Sequence, residues 1–274
     1  MIALRPSRLP GRPPVVHFFG LMLGTIWLRP YVFLFLAVYL LLATWHLGAP
    51  RALAFLALGY LISWAAELSS ITWGFPFGEY LYIPATRGRE LWVAGVPVMD
   101  SLSYVFLAYA SFALALAALG PARWEGWRFH LEETAALLGS RRVWVLAAVL
   151  MVSLDIVIDP AALRGYRWFL GQIYGYPEPG VYFGIPLANF AGWLLVALVL
   201  VRLLQALATR PAAPFWDRGR RAFPGRALLG PALYLGILGF NLAVTFAIGE
   251  AALGWVGVFI YLPFLTWLAV KLWP

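Results

Sequence analysis

Cysteine is absent from the 274-residue chain, which excludes disulfides, thiolate nucleophiles and cysteine-ligated metals together. Histidine is scarce: His17, His46 and His130 stand far apart, and no two have the spacing of a metal site. Charge is scarce too, at 12% of residues against 63% hydrophobic, well below the roughly 25% charged of a soluble domain. Acid is scarcest of all, with 12 Asp and Glu against 20 Lys and Arg. No phosphate-cradling loop or dinucleotide fingerprint is present, which argues against kinases and nucleotide-dependent redox enzymes. The period-two alternation of a membrane barrel is also missing.

What the chain has is apolar sequence, with a mean hydropathy of +0.82. Runs near 31–48, 52–73, 96–120, 143–159, 184–208, 227–248 and 251–271 approach the roughly 20 residues that a bilayer core demands. The expected architecture is all-α: a polytopic integral-membrane bundle of seven transmembrane helices. It forms one domain over residues 1–274, with a basic amino-terminal tail at 1–14. A shorter apolar segment, Val15–Trp27, follows Arg5, Arg8 and Arg12 and lacks a small-residue cleavage site behind it. It fits an interfacial or re-entrant helix, with an eighth crossing as the alternative.

The cations sort by loop. With seven crossings, Arg51, Arg123, Arg141, Arg142, Arg210, Arg226 and most others share one side, while Arg87, Arg89, Arg164 and Arg167 occupy the other. The positive-inside rule makes the first side cytoplasmic, in a multi-pass protein of the cell membrane. The net charge of +8 then reflects topology and contact with anionic membrane lipids, not nucleic acid. The outer connections, 74–95 and 160–182, mix Gly, Pro and aromatics, the composition of ordered irregular backbone. They read either as an interfacial Trp/Tyr belt or as two lids over an apolar cavity. The inner loops, 121–142 and 210–226, are Arg-rich and read as solvated. No internal repeat is visible by inspection.

Four acids, Glu67, Asp100, Asp155 and Asp159, lie inside or at the rim of apolar runs and converge on the extracytoplasmic face. A carboxylate at a bilayer centre costs about 2.5–3.5 kcal/mol on insertion scales, so such residues mark function. Asp155 and Asp159 stand four apart on one helix face, where repulsion should hold one proton on the pair, as a general acid requires. The alternative is that Asp159 turns the chain at Asp-Pro while Asp155 pairs with an arginine. Glu67 is read as a site residue. Asp100 is either an N-terminal helix cap or dipole partner or a site residue, with Tyr104 one turn on. Asn189 is placed to orient a water or a carboxyl. Glu79, Glu90, Glu178 and Glu250 read as solvated loop charges, and Asn241 and Thr245 as interhelical hydrogen bonds.

The stretch from Glu67 to Tyr82, ELSSITWGFPFGEYLY, resembles the E-x-x-x-x-T-G-x-P-F-G-x-Y-x-Y signature of the carotenoid biosynthesis protein family, departing from it at Trp73. Asp155 to Pro160 resembles that family's paired-aspartate motif, and Tyr182 to Trp193 its Y-x-G-x-P-x-x-N-F-x-G-W segment. The resemblance implies a cofactor-independent hydro-lyase, a carotenoid 1',2'-hydratase. Such an enzyme adds water across the terminal isopropylidene double bond of an acyclic carotenoid to give a tertiary alcohol. Asp155, Asp159 and Glu67 would form the acid–base set, and the residues leave the proton donor open between the two aspartates. Asp100, Asn189, Tyr104, Trp73, Tyr80, Tyr82 and Trp193 would bind substrate or support the acids. Its partners would be the carotenoid, water, membrane lipids and other carotenoid biosynthesis enzymes. One rival is a proton-coupled carrier of an apolar or weakly acidic solute; another is a non-catalytic scaffold for pigment enzymes. Acids gathered at one end favour the enzyme, because a carrier's site usually lies near the midplane.

Overall fold

The computed structural model describes residues 14–211 and 213–273. The expected basic tail, with Arg5, Arg8 and Arg12, lies outside the described residues except for Pro14. The helices are α1 (Pro14–Leu28), α2 (Pro30–Leu47), α3 (Ala49–Trp73), α4 (Val98–Leu119), the single turn α5 (Ala135–Leu138), α6 (Arg141–Leu163), α7 (Leu187–Ala208), α8 (Arg226–Ala247) and α9 (Ala251–Leu272). Among them, seven are long and apolar enough to cross a membrane, all except α1 and α5. The chain is therefore a multi-pass helical membrane protein. With 15 residues at 1.5 Å per residue, α1 reaches only about 22 Å, short of the roughly 30 Å core.

The bundle is organised around α4, which touches α2, α3, α6, α7 and α8. Of its apolar window 83% is buried, against 28% for α9. The sequence explains this: Ala108, Ala110, Ser111, Ala113, Ala115 and Ala117 put small side chains around much of α4, so neighbouring backbones can approach. Gly230 of α8 is one such approach, since a methyl there would sit 2.3 Å from Ala113 Cβ. Helix α9 instead presents Trp255, Phe259, Leu262 and Trp267 outward, as a lipid-facing helix must. Its Lys271 donates to the carbonyls of Ala117 (3.3 Å) and Gly120 (3.0 Å), satisfying the open carboxyl end of α4.

Short strands complete the connections: β1 (Leu81–Tyr82), β2 (Trp92–Val93), β3 (Val96–Pro97), β4 (Ala122–Glu125), β5 (Arg128–Leu131) and β6 (Tyr174–Gly175). Strand β1 of the first outer connection pairs antiparallel with β6 of the second, with Leu81 opposite Gly175 and Tyr82 opposite Tyr174. The two lids are one hydrogen-bonded cover.

Several sequence expectations change. The paired-aspartate helix does not stop at Asp159 but continues through Pro160 to Leu163, so Asp159 stays on the face of Asp155 and makes no turn. Glu90 is not a solvated loop charge. It is 1% exposed and meets the Arg29 guanidinium in a fork of 3.2 and 3.1 Å, the geometry in which a buried carboxylate is tolerated. Arg29 also donates to Leu170 O, so the α1–α2 junction holds both lids. Glu250 pairs with Arg164 (3.0 Å) and Arg167, whereas Glu79 and Glu178 are exposed. Asn241 and Thr245 bond to carbonyls of their own helix, at 2.9 and 2.8 Å, and not between helices. The inner loops are not simply solvated, for Glu133 is buried between His46 (2.9 Å) and Arg226 (2.6 Å).

Candidate functional site

Helices α3 and α6 run towards the lids, and α4 and α7 run away from them. Glu67 comes from the last turns of α3, Asp155 and Asp159 from α6, Asp100 from the first turn of α4, and Asn189 from the first turn of α7. Asp100 is not the cap of its helix, a place taken by Pro97. All these side chains meet under the joined lids, which add tyrosines from above.

The hydrogen bonds separate the acids. Glu67 accepts from three phenols: Tyr104 on Oε1, and Tyr80 and Tyr82 (2.9 Å) on Oε2. Asp159 also accepts from three donors, Tyr174, Tyr176 (3.1 Å) and Asn189 Nδ2 (2.8 Å). Among the described residues, Asp155 takes one bond, from Asn189 Nδ2 at 3.1 Å, and its buried Oδ1 has no partner. The alternative of an arginine partner for Asp155 is not realised. Asp100 is bonded to Tyr82. Tyr82 has a single hydroxyl hydrogen, yet contacts both Glu67 and Asp100. Two ionised carboxylates cannot both accept it, so the contacts are satisfied together only when one of the two carboxyls carries a proton.

The lid phenols are fixed as donors. Burial, reinforced by the charges of Asp100 and Glu67, holds Tyr82 well above its ordinary pKa. Burial and then the charge of Asp159 do the same for Tyr174 and Tyr176. None of Glu67, Asp100, Asp155 or Asp159 forms an ion pair among the described residues. With one donor and no cation, an ionised Asp155 would be an uncompensated buried charge, whereas its neutral form needs little further support.

Two cavities meet here. A polar chamber lies between the lid tyrosines and the acids Glu67, Asp100 and Asp159. A larger, mainly apolar cavity opens between α2, α4, α6 and α8. It is lined by Phe35, Phe106, Trp168 and Ile237, and its polar end carries Asp100, Asp155 and Asp159. Tyr104 and Trp193 border both cavities and stack at 4.3 Å with 7° between ring planes. Among the described residues, no three His, Asp or Glu side chains are grouped to hold a metal ion.

Of the residues expected from sequence, Asp155, Asp159, Glu67, Asp100, Asn189, Tyr104, Tyr80, Tyr82 and Trp193 are brought together. Trp73 is not: it is 79% exposed and lines neither cavity, because it ends α3 on the outward face. Tyr174 and Tyr176 were missed. The available signal was Tyr174-Gly175-Tyr176, which repeats the spacing of Tyr80-Leu81-Tyr82.

The model of the family described as carotenoid biosynthesis protein matches residues 28–262. The chain is 31% identical over 145 residues to the bisanhydrobacterioruberin hydratase of Haloarcula japonica. That alignment covers 53% of this chain and 42% of the relative, so the match spans less than half of that protein's length. No solved structure matches the chain.

Proposed function

The chain belongs to the carotenoid biosynthesis protein family, and from that premise we propose that it is a membrane carotenoid hydratase. It adds water across the terminal isopropylidene double bond of an acyclic carotenoid, the 1',2' bond, to give a tertiary alcohol. The observation that carries this reading is the unequal aspartate pair at the polar end of an apolar cavity. Among the described residues, Asp159 is held by three donors, whereas Asp155 has one donor and an oxygen without a partner. The hydratase relative supports the same class of reaction.

The apolar cavity takes the end of the polyene and excludes bulk water. Asp155, as the neutral acid, gives its proton to the less substituted alkene carbon. The π electrons form the new C–H bond, and the positive charge falls on the dimethyl-bearing carbon. A water of the polar chamber bonds to that carbon through oxygen while Asp159 takes its proton. Return of that proton through chamber water to Asp155 restores the starting state. One H and one OH are added, nothing is oxidised, and no cofactor is required. The stacked Tyr104–Trp193 pair stands where it can face the cation, at about 0.5–2 kcal/mol per aromatic face. A positioned acid supplies typically about 10²–10⁴-fold. Glu67, clamped by three phenols, anchors the chamber in this scheme and does not act as the acid, a change from its expected place in the acid–base set. The arginine distribution supports a site on the extracytoplasmic side of the cell membrane.

The test is direct. Purified protein given an acyclic carotenoid in isotopically labelled water, without oxygen and with chelator, should yield a product heavier by one labelled water. Label arriving from oxygen gas, or no hydrated product, would overturn the assignment.

A further inference from the structure

Two segments of the chain bring equivalent residues to equivalent points of the site. In the first, α3 supplies Ser63 and Glu67, the lid supplies Tyr80 and Tyr82, and Gly95-Val96-Pro97 leads to Asp100 and Tyr104. In the second, α6 supplies Asp155 and Asp159, the lid supplies Tyr174 and Tyr176, and Gly184-Ile185-Pro186 leads to Asn189 and Trp193. The backbone repeats with the residues. Ala94 and Phe183 are the non-glycine positions with positive φ among the described residues, at 51° and 49°, and each precedes a glycine at 88° or 93°. Each pair closes a tight antiparallel turn, Val93 against Val96 and Tyr182 against Ile185. Pro97 and Pro186 then occupy the caps of α4 and α7, with φ of −65° and −69°.

The copies are related by a rotation. Strands β1 and β6 are equivalent, and they pair with each other about Leu81 and Gly175, with Tyr82 opposite Tyr174. That register places a two-fold axis between Leu81 and Gly175. Tyr104 and Trp193, again equivalent, stack on one another. Helices α3 and α6 share one direction and α4 and α7 the other, so the axis runs along the bundle, as in parallel membrane repeats. The polar chamber lies on this axis, for its walls contain both members of the pairs Glu67/Asp159, Tyr80/Tyr174, Tyr82/Tyr176, Asp100/Asn189 and Tyr104/Trp193. In each copy the two tyrosines of the Y-x-Y strand donate to that copy's acid.

We infer that residues 63–104 and 155–193 are two copies of one helix–lid–helix unit about a pseudo-two-fold axis, and that they have divided the work. The second copy carries the proton donor; the first holds the chamber, with Glu67, Asp100 and Tyr104 as positioning residues. The division of work rests on the hydratase reading, whereas the repeat does not.

The departures from symmetry are what assign the roles. Asp155 stands where the first copy has Ser63, which is fully buried and bonded to Gly59 O at 2.9 Å. Asn189 stands where the first copy has Asp100. The apolar cavity lies between α4 and α6. The equivalent space between α3 and α7 is filled by Phe77, whose amide bonds Ser70 Oγ at 2.9 Å and whose ring packs on Trp193. A methyl on Gly192 would lie 2.5 Å from Pro76 O. Only the α4–α6 side therefore has both the added aspartate and an open apolar cavity.

Two measurements on full-length protein in detergent test the two parts separately. Thermal unfolding of Tyr80→Phe and Tyr174→Phe reads the repeat without reference to any reaction: the two midpoints should fall by amounts within twofold of each other. A loss confined to one of them overturns the repeat. Hydration kinetics of Glu67→Gln and Asp100→Asn read the division of work. Each should lower kcat by about tenfold with KM and the shape of the pH–rate profile kept, while Asp155→Asn should lose at least about a hundredfold. Losses as deep as that of Asp155→Asn in either variant, or a displaced pH profile, overturn the division. If the parent hydrates no acyclic carotenoid, the hydratase reading and the division fail together, and the melting comparison still decides the repeat.

Discussion

The two ends of the bundle manage their acids in opposite ways. At the end opposite the lids, acids are matched with basic side chains: Glu133 with Arg226 and the His46 imidazole, Asp217 with Arg51 and Arg220. Beneath the lids, Glu67, Asp100, Asp155 and Asp159 have no cation in contact among the described residues, and their donors are phenols and one amide. Ion pairs fix charge, so the first arrangement supports fold and topology. Neutral donors leave the carboxyls free to exchange protons, so the second arrangement suits acid–base chemistry. Two lid-end ion pairs mark the limit of the contrast, Arg29 with Glu90, which ties the lids together, and Glu250 with Arg164 and Arg167; both lie outside the proposed proton path.

The deepest break in this contrast comes from the aspartates. Asp155→Asn and Asp159→Asn preserve shape but remove the proton donor and the acceptor. Each should purify and melt like the parent while losing turnover by about 10²–10⁴-fold. Glu178→Gln, an exposed loop charge, should leave turnover unchanged. Near-parental rates in both aspartate variants would move the chemistry elsewhere. Second in size is a test of which end faces the cytoplasm. With no native cysteine, single cysteines at the exposed Ala85, Glu178 and Trp127 can be labelled cleanly. An impermeant thiol reagent on intact cells should mark the first two, in the lids, and spare the third, in the β4–β5 hairpin. The reverse pattern would invert the orientation.

How much of this was legible in the sequence follows from the range of each signal. Hydropathy is local, and it placed seven spans with errors only at their ends. The four acids stood out because carboxylates are costly in apolar runs. Their donors did not, because nothing in Tyr174-Gly175-Tyr176 says that the second lid folds onto Asp159. The Arg29–Glu90 fork spans 61 residues, beyond the reach of any periodicity. Trp73 misled because its neighbours in the signature belong to the site while its own side chain leaves the end of α3 on the far face. The internal repeat escaped because its matching positions are few and scattered, and become a pattern only when the backbone overlays them.

The smallest effect belongs to the far end, and it comes from stability and not from turnover. Burial alone would raise the pKa of Glu133, but His46 and Arg226 outweigh it and hold the carboxyl below its ordinary value. A lowered folded-state value means that the ionised group stabilises the fold above the unfolded-state pKa of about 4.3. That contribution is lost as the pH falls through the folded-state value. Glu133→Gln removes the charge but keeps the shape, so it should cost about 2 kcal/mol at pH 7, the worth of a hydrogen bond to a charged group. For a chain of this size that is a fall of roughly 4–8 °C in thermal midpoint. The deficit should hold from pH 7 down to about pH 5 and shrink below the ordinary carboxylate range. Turnover measured well below the midpoint should match the parent, because Glu133 lies at the end of the bundle away from the acids. A parental midpoint at pH 7, or a deficit equally large at pH 3, would show that the ion pair is not what stabilises this end.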